Sequence, residues 1–359
     1  MTTALRVLPE ASRRRQAGLS IVELMVALAI GLFILIGLVS IFVTSNRTYL
    51  DLNRAGQQIE NGRFAVQMLS DDISLAGFFG RFGSPLAAPG VLPDPCVTTD
   101  MAALREAAAL PLQGYDAPGA SPLTCVPAAN HRPGTDILVV RRTDSQMAAG
   151  DSATIPGGAL AASQVYLQAN ADPNNSANPL IAAATGTPQS VFTLKNRDGT
   201  NVAPIRKYRV HIYYIAPCSV PAGGGTDCTG ANDDGGTPIP TLKRLELSVD
   251  STGANLAMYQ VPLVEGIENL QVDYGLDTDG DGVPNGAYVA LPAAVIDWPN
   301  VVAVRVNLLA RNTEPSAGYV DDKTYDMGVG GSVAPGGAYK RHVYNTVVRV
   351  VNPSSRREP

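Results

Sequence analysis

The chain has 359 residues, enough for a sizeable core or two. Charged residues make up 16% of it against a usual ~25%, and 35 Gly with 27 Pro mark a loop-rich product. The net charge of −5, with no Lys/Arg run interleaved with aromatics, argues against a nucleic-acid binder, which normally carries a basic patch.

The first element in chain order opens on Arg13-Arg14-Arg15, which is followed shortly by Gly18. Glu23 then stands alone at the front of an apolar run, and no charged residue occurs from Leu24 to Asn46. A helix needs about 20 apolar residues to cross a hydrocarbon core, so this run is long enough. By the positive-inside rule the basic residues 1–18 stay in the cytoplasm and the remainder crosses. A secretory signal fits poorly, because its apolar region is shorter and a small-residue cleavage site follows it. A plain single-span anchor explains the arginines and the run but leaves Glu23 unexplained. A carboxylate inside a membrane is costly and marks a functional partner by default.

Gly18-Leu19-Ser20-Ile21-Val22-Glu23-Leu24 resembles the type III leader of type IV pilins and type II secretion pseudopilins. The resemblance implies that a prepilin peptidase cuts between Gly18 and Leu19 and methylates the new amine of Leu19. It also implies that Glu23 pairs with the N-terminus of a neighbouring subunit. Leu19 stands where the family usually has Phe, a position that requires an apolar residue more than an aromatic one. The physics agrees, since a buried carboxylate must be neutral or paired.

The helical signal continues beyond the apolar run. Leu52, Ala55, Ile59, Gly62, Val66, Leu69, Ile73 and Ala76 recur at spacings of three and four, one stripe on a helix. No proline interrupts Leu19 to Gly83, so one helix is predicted from Leu19 to Ala76, roughly 85 Å long at 1.5 Å per residue. A coiled-coil segment is the competing explanation of the stripe. Gly77 and Gly80 end the helix. Four cysteines follow, Cys96, Cys125, Cys218 and Cys228, all on the exported side, where disulfides persist. Of three possible connectivities, the pairs close in sequence, Cys96–Cys125 and Cys218–Cys228, are favoured. Zinc is disfavoured, since there is no C-x-x-C and no nearby His pair.

Met101–Leu110 reads as a short helix. Strands are predicted at Asp136–Arg142, Gln164–Gln168, Ser190–Lys195, Ile205–Ile215, Thr241–Asp250, Asn255–Val264, Ile267–Leu276, Asn300–Arg311 and Tyr339–Asn352. Strands joined by turns indicate an antiparallel sheet with one wet face, whose covered face needs the helix stripe. The fold class is α+β, a long N-terminal helix packed on an antiparallel β-sheet with large loops. The domain plan is a cleaved leader 1–18, a transmembrane and assembly helix 19–45, its amphipathic continuation 46–80, and an exported β-domain 81–359. The order of these elements, with Val264–Gly275, Val301–Arg311 and a terminal strand, is similar to PilW-type minor pilins.

One downstream segment looks like a site. Asp277, Asp279 and Asp281 occupy positions one, three and five of a loop, with Gly282 at six and Asn285 at nine. That spacing folds oxygens around a hard cation such as calcium, with the Val283 carbonyl as a further ligand. Position twelve is Tyr288, so the usual bidentate glutamate is missing, and Asp273 or Asp297 are conceivable substitutes. An exposed Asp/Gly turn is the alternative. Catalytic constellations are absent: no G-x-S-x-G, H-E-x-x-H or G-K-[ST] occurs. His131 falls in a loop, while His211 and His342 fall in strands where they cover a sheet face. Gly328-Val-Gly330-Gly331 reads as a flexible loop, Trp298 as a packing anchor, and the Arg356-Arg357 tail as solvated.

No enzymatic activity and no required cofactor are expected. The resemblance implies a minor pilin of a type IV pilus that supports assembly initiation, twitching and adhesion. The expected partners are the prepilin peptidase, other minor and major pilins and the inner-membrane assembly platform, with no nucleic acid. The chain is expected in the bacterial inner membrane before assembly and in the pilus afterwards. A J-type pseudopilin of type II secretion is the first alternative, and a membrane-tethered calcium-binding or enzymatic domain the second.

Overall fold

The computed structural model describes residues 18, 20–80, 86–155, 160–161, 164–170, 180–183, 191–249 and 255–357. Leu19 and the leader up to residue 17 lie outside the described residues. α1 runs Ile21–Ser74 as one element, close to the predicted bounds. It stops where Gly77 turns left-handed at φ 71° and gives its N–H to Arg141 O at 2.9 Å.

The chain divides into two units, Met1–Asn53 and Arg54–Pro359. In the first, the apolar side chains of α1 are exposed all round, from Ile21 at 77% to Val43 at 41%. This helix is long and apolar enough to cross a membrane.

In the second unit α1 is followed by α2 (Met101–Ala107), β1 (Leu112–Tyr115), β2 (Ile137–Thr143), β3 (Val165–Gln168) and β4 (Leu180–Ala183). Then come β5 (Ile205–Ala216), β6 (Thr241–Val249), β7 (Leu256–Glu265), β8 (Ile267–Leu276) and β9 (Val301–Arg311). The short pair β10 (Tyr325–Asp326) and β11 (Ser332–Val333) precedes β12 (Arg341–Arg349) and α3 (Val351–Ser355). The α+β class holds, and all pairings are antiparallel.

The strands do not form the single sheet that was expected. β1 to β7 make a seven-stranded sheet in which β5 is the hub, bonded to β2, β3 and β6, while β8, β9 and β12 make a three-stranded one. The break is at Gly266, whose φ of 78° turns the chain out of β7 into β8. A Cβ there would lie 2.7 Å from Arg311 O, so only glycine fits.

Both sheets share one core with α1. Ala65, Leu69, Ile73 and Ala76 pack with Tyr213 and Ile215 of β5, Leu270 and Val272 of β8, Val304, Val306 and Leu308 of β9, and Val348 of β12. The buried face of α1 departs from the predicted stripe at its start, where Leu52 is 68% exposed, and again at Ile59. Gln58 is buried where Ile59 was expected to be, and Ile59 is 51% exposed. Gln58 wins because its amide donates to Ala310 O at 2.8 Å and Lys340 O at 3.1 Å, satisfying carbonyls at the end of the sheet.

The expected wet face is also corrected. Its far side is covered by α2 and the cysteine loops, where Leu104, Leu123, Val126, Val139, Ile212, Tyr214, Leu245 and Leu247 join Cys218 and Cys228 in a second core. Residues 191–195 are no strand. Phe192 and Leu194 are buried in a loop held by Gln168, whose side chain bonds Leu194 N at 3.0 Å and Leu194 O at 3.1 Å. Ser190 lies outside the described residues.

Candidate functional site

The N-terminal segment begins at Gly18, which is exposed, and the chain enters α1 through Ser20. Ser20 Oγ accepts the Val22 N–H at 3.3 Å, and the Glu23 carboxylate reaches back to the Ser20 N–H at 2.9 Å. Ser20-Ile-Val-Glu23 thus spells a capping box, a same-chain role that the leader resemblance does not bring out. The carboxylate sits at the positive end of the helix dipole. Around it, Ile21, Val22, Met25 and Leu28 are all more than half exposed. An apolar surface of this size marks a membrane or a protein–protein contact.

The second half of α1 is held by groups that sequence reading missed. Asp72 is buried and accepts three bonds: from Arg142 Nε at 2.6 Å, from Tyr213 OH at 2.7 Å and from the His211 ring Nδ1 at 2.7 Å. Burial pushes the Asp72 carboxyl up, but His211 and Arg142 together hold it well below the usual carboxylate range. His211 is therefore no mere cover for a sheet face. It ties β5 to the helix. Gly62 lets the Tyr344 ring of β12 lie against the helix, since a Cβ there would come within 2.1 Å of it. Nothing in the sequence around Asp72 hints at its partners, which lie 70 to 141 residues away.

Cys96–Cys125 and Cys218–Cys228 are bonded as expected, with Cα atoms 5.5 and 5.8 Å apart. The second loop is wired further by Asp233, which accepts from Ala222 N at 2.8 Å, Thr229 N at 2.7 Å, Thr229 Oγ1 at 2.7 Å and Gly230 N at 2.8 Å. His131 is buried, its Nε2 3.0 Å from Thr135 O. Trp298 is buried edge-on against Tyr274 with centroids 5.0 Å apart, the anchor expected of it.

The structure brings the carboxylates of Asp277, Asp279 and Asp281 to within 4.8 Å of one another. Asp277 is buried and accepts from Gly280 N at 2.6 Å and Gly282 N at 2.9 Å. Asn285 Oδ1 accepts from Thr278 N at 2.7 Å, and its amide donates to Asp279 at 3.1 Å. Tyr288 is no ligand substitute, since its ring lies 4.3 Å beneath the Arg305 guanidinium. Asp273 is bonded to Asn307 at 3.2 Å and Asp297 to Ala294 N at 3.0 Å, so each is engaged elsewhere.

The solvated tail is a correction. β12 ends at Arg349, α3 follows, and Arg357 reaches Asp277 Oδ2 at 3.3 Å, Pro299 O at 3.0 Å and Asn300 Oδ1 at 2.6 Å. Arg356 donates to Gly77 O at 2.8 Å and Asn352 to Ala76 O at 3.1 Å, which fastens the same tail to the end of α1. Three carboxylates at this spacing suit a hard cation, and Arg357 already supplies one positive charge to Asp277.

With this geometry in view, two family comparisons bear on the chain. Residues 13–39 match the prokaryotic N-terminal methylation motif, and residues 228–352 match the family of type IV pilus-assembly protein W. No curated protein and no solved structure matches it.

Proposed function

We propose that this chain, a PilW-like type IV pilin, enters the pilus through the apolar half of α1 and helps to initiate assembly, with twitching and adhesion as consequences. The observation that carries this reading is the register of the leader: Gly18, then Glu23 at the start of an exposed apolar helix, with PilW-like strands downstream. The prepilin peptidase cuts between Gly18 and Leu19 and methylates Leu19. In the inner membrane the Ser20 N–H holds Glu23, and on assembly the carboxylate exchanges that contact for the amine of a neighbouring pilin. Both contacts are charge-assisted on the carboxylate side, but a protonated amine adds the attraction of a full positive charge, which favours the exchange. The partners are other minor and major pilins and the assembly platform. Asp277, Asp279 and Asp281 offer, under the same proposal, a weak calcium site with Arg357 competing at Asp277. The matched families are pilin and pilus-assembly families, and chemistry is done to the chain rather than by it.

Mass spectrometry of sheared pili tests the reading. A chain that starts at methylated Leu19 is the expected result, and an N-terminus before Gly18 refutes it. Glu23→Ala is expected to insert and be cut normally but to be depleted from pili.

A further inference from the structure

β6 alternates between the two cores. Leu242 packs in the core shared with α1, whereas Leu245 and Leu247 join Cys218 and Cys228 on the other side of the sheet. Lys243 has the parity of Leu245 and Leu247, so its side chain projects toward the cysteines, between Tyr214 of β5 and Pro262 of β7. It is fully buried, and its Nζ has no hydrogen-bond partner among the described residues.

The loop bridged by Cys218–Cys228 closes over this spot. Tyr214 donates to Gln260 Oε1 at 2.7 Å, and Gln260 donates to Thr226 O at 3.4 Å. Asn130 donates to Asp227 Oδ1 at 2.9 Å and accepts the Cys228 N–H at 2.8 Å. The charges that act on Lys243 are Asp234, Asp233 and Asp227, and each is engaged by other donors, Asp234 by Ser219 N at 3.0 Å and Val220 N at 2.6 Å. Burial lowers the Lys243 amine from its ordinary value, against the pull of these three carboxylates. An ammonium buried without a partner is costly, and water would relieve it. The bridge opposes that relief, because linking residues ten apart removes conformations from the open loop.

We propose that the Cys218–Cys228 loop is a redox-operated lid over Lys243, closed while bridged and open once a protein dithiol reduces it. The dithiol supplies two electrons and two protons. The Sγ–Sγ bond breaks, Cys218 and Cys228 become thiols, and the donor leaves as a disulfide. The lid then lifts, and the Lys243 amine reaches water.

Amine acylation read by peptide mass spectrometry tests it on the full chain in detergent. Lys243 should stay unmodified in the bridged chain and label in Cys218→Ser/Cys228→Ser and in the wild type treated with dithiothreitol. Exposed Lys323 should label alike in all of them. For a bridge spanning ten residues the labelling rate should rise roughly 100-fold. Cys96→Ser/Cys125→Ser should leave Lys243 masked. Hydrogen exchange separates a lifted lid from an unfolded domain: on reduction the Cys228 amide should exchange faster while the β9 amides stay protected. Lys243→Met keeps the apolar stem and removes the cation, so its reduced loop should stay closed by the same measure. Lys243 that labels in the bridged chain, or stays masked after reduction, overturns the proposal. So does loss of β9 protection on reduction, or a reduced Lys243→Met loop that opens as freely as the wild type's.

Discussion

The two halves of α1 solve opposite problems. From Ile21 to Val43 the helix is apolar on every side and its side chains stay exposed, so nothing among the described residues covers it. From Gln58 to Ala76 every buried polar group is answered by the chain itself: Gln58 by two carbonyls, Asp72 by Arg142, His211 and Tyr213. The first half is built to be satisfied by other molecules, the second by its own domain. Burial on one stripe and exposure all round are what decide which half does which.

The largest expected effect breaks the second half. Asp72→Ala leaves the Arg142 guanidinium and the His211 ring without their shared carboxylate, and breaking such a buried pair costs about 3–5 kcal/mol. Denaturant unfolding of the full chain in detergent should show that loss. Glu23→Ala, in the first half, removes only the capping contact to Ser20 and should shift the same midpoint far less, while pilus incorporation falls. A comparable loss of stability from Glu23→Ala would erase the contrast. Acid has the matching effect: Asp72 is held below the ordinary value, so its contribution is present at neutral pH and is lost as pH falls toward strong acid.

A second probe concerns the cradle beneath that half. Asp136 links the two sheets, accepting Ala117 N and Val272 N, each at 2.7 Å. Burial pushes its carboxyl up from 3.8 to about 7, against the pull of those two N–H groups. The folded chain then holds a proton that the unfolded chain releases between these values. The Asp136 contribution is greatest below the lower value and is lost as pH rises to the higher one, by up to about 4 kcal/mol at 1.36 kcal/mol per unit. The unfolding midpoint should drop between pH 5 and 8, and in Asp136→Asn it should flatten. A wild-type midpoint that rises over that range contradicts the assignment.

Much of this division was legible beforehand, and the limits have physical causes. The apolar run, its lone Glu23, the stripe from Gly62 to Ala76 and most strands follow from periodicity, because burial on one face writes itself into spacing. The favoured disulfide pairs follow from short separation. Asp72, His211 and Arg142 were not legible as a set, since a buried polar cluster is written by topology and its members lie far apart in sequence. The break into two sheets depends on one residue, Gly266, which looks like any other turn glycine. Arg357 was read as solvated because nothing local marks a tail that folds back onto a loop.

Gly62 sharpens the contrast by a smaller amount. Gly31 and Gly37 in the first half have nothing within 4 Å of an added Cβ, whereas at Gly62 that Cβ comes within 2.1 Å of the Tyr344 ring. Gly62→Ala should destabilise by about 1–3 kcal/mol through overpacking. Pairing it with Tyr344→Leu should recover much of that loss in a double-mutant cycle. Gly37→Ala should change nothing measurable, and independent effects at Gly62 and Tyr344 would dismiss the contact.

Calcium gives the smallest expected effect. The tail that binds Asp277 through Arg357 also holds Ala76 and Gly77, so an ion in the aspartate loop reaches the end of the second half. For the proposed calcium site, the guanidinium is expected to compete for Asp277, and with Tyr288 in place of a glutamate binding is expected to be weak. At a calcium concentration equal to its dissociation constant the gain is about 0.4 kcal/mol, a slight rise in the unfolding midpoint. Arg357→Gln removes the competitor, so its starting midpoint is lower and its calcium-induced rise larger. Asp281→Asn should abolish the rise in both backgrounds. No shift in either chain at millimolar calcium would leave the loop as a turn whose counter-charge is the arginine alone.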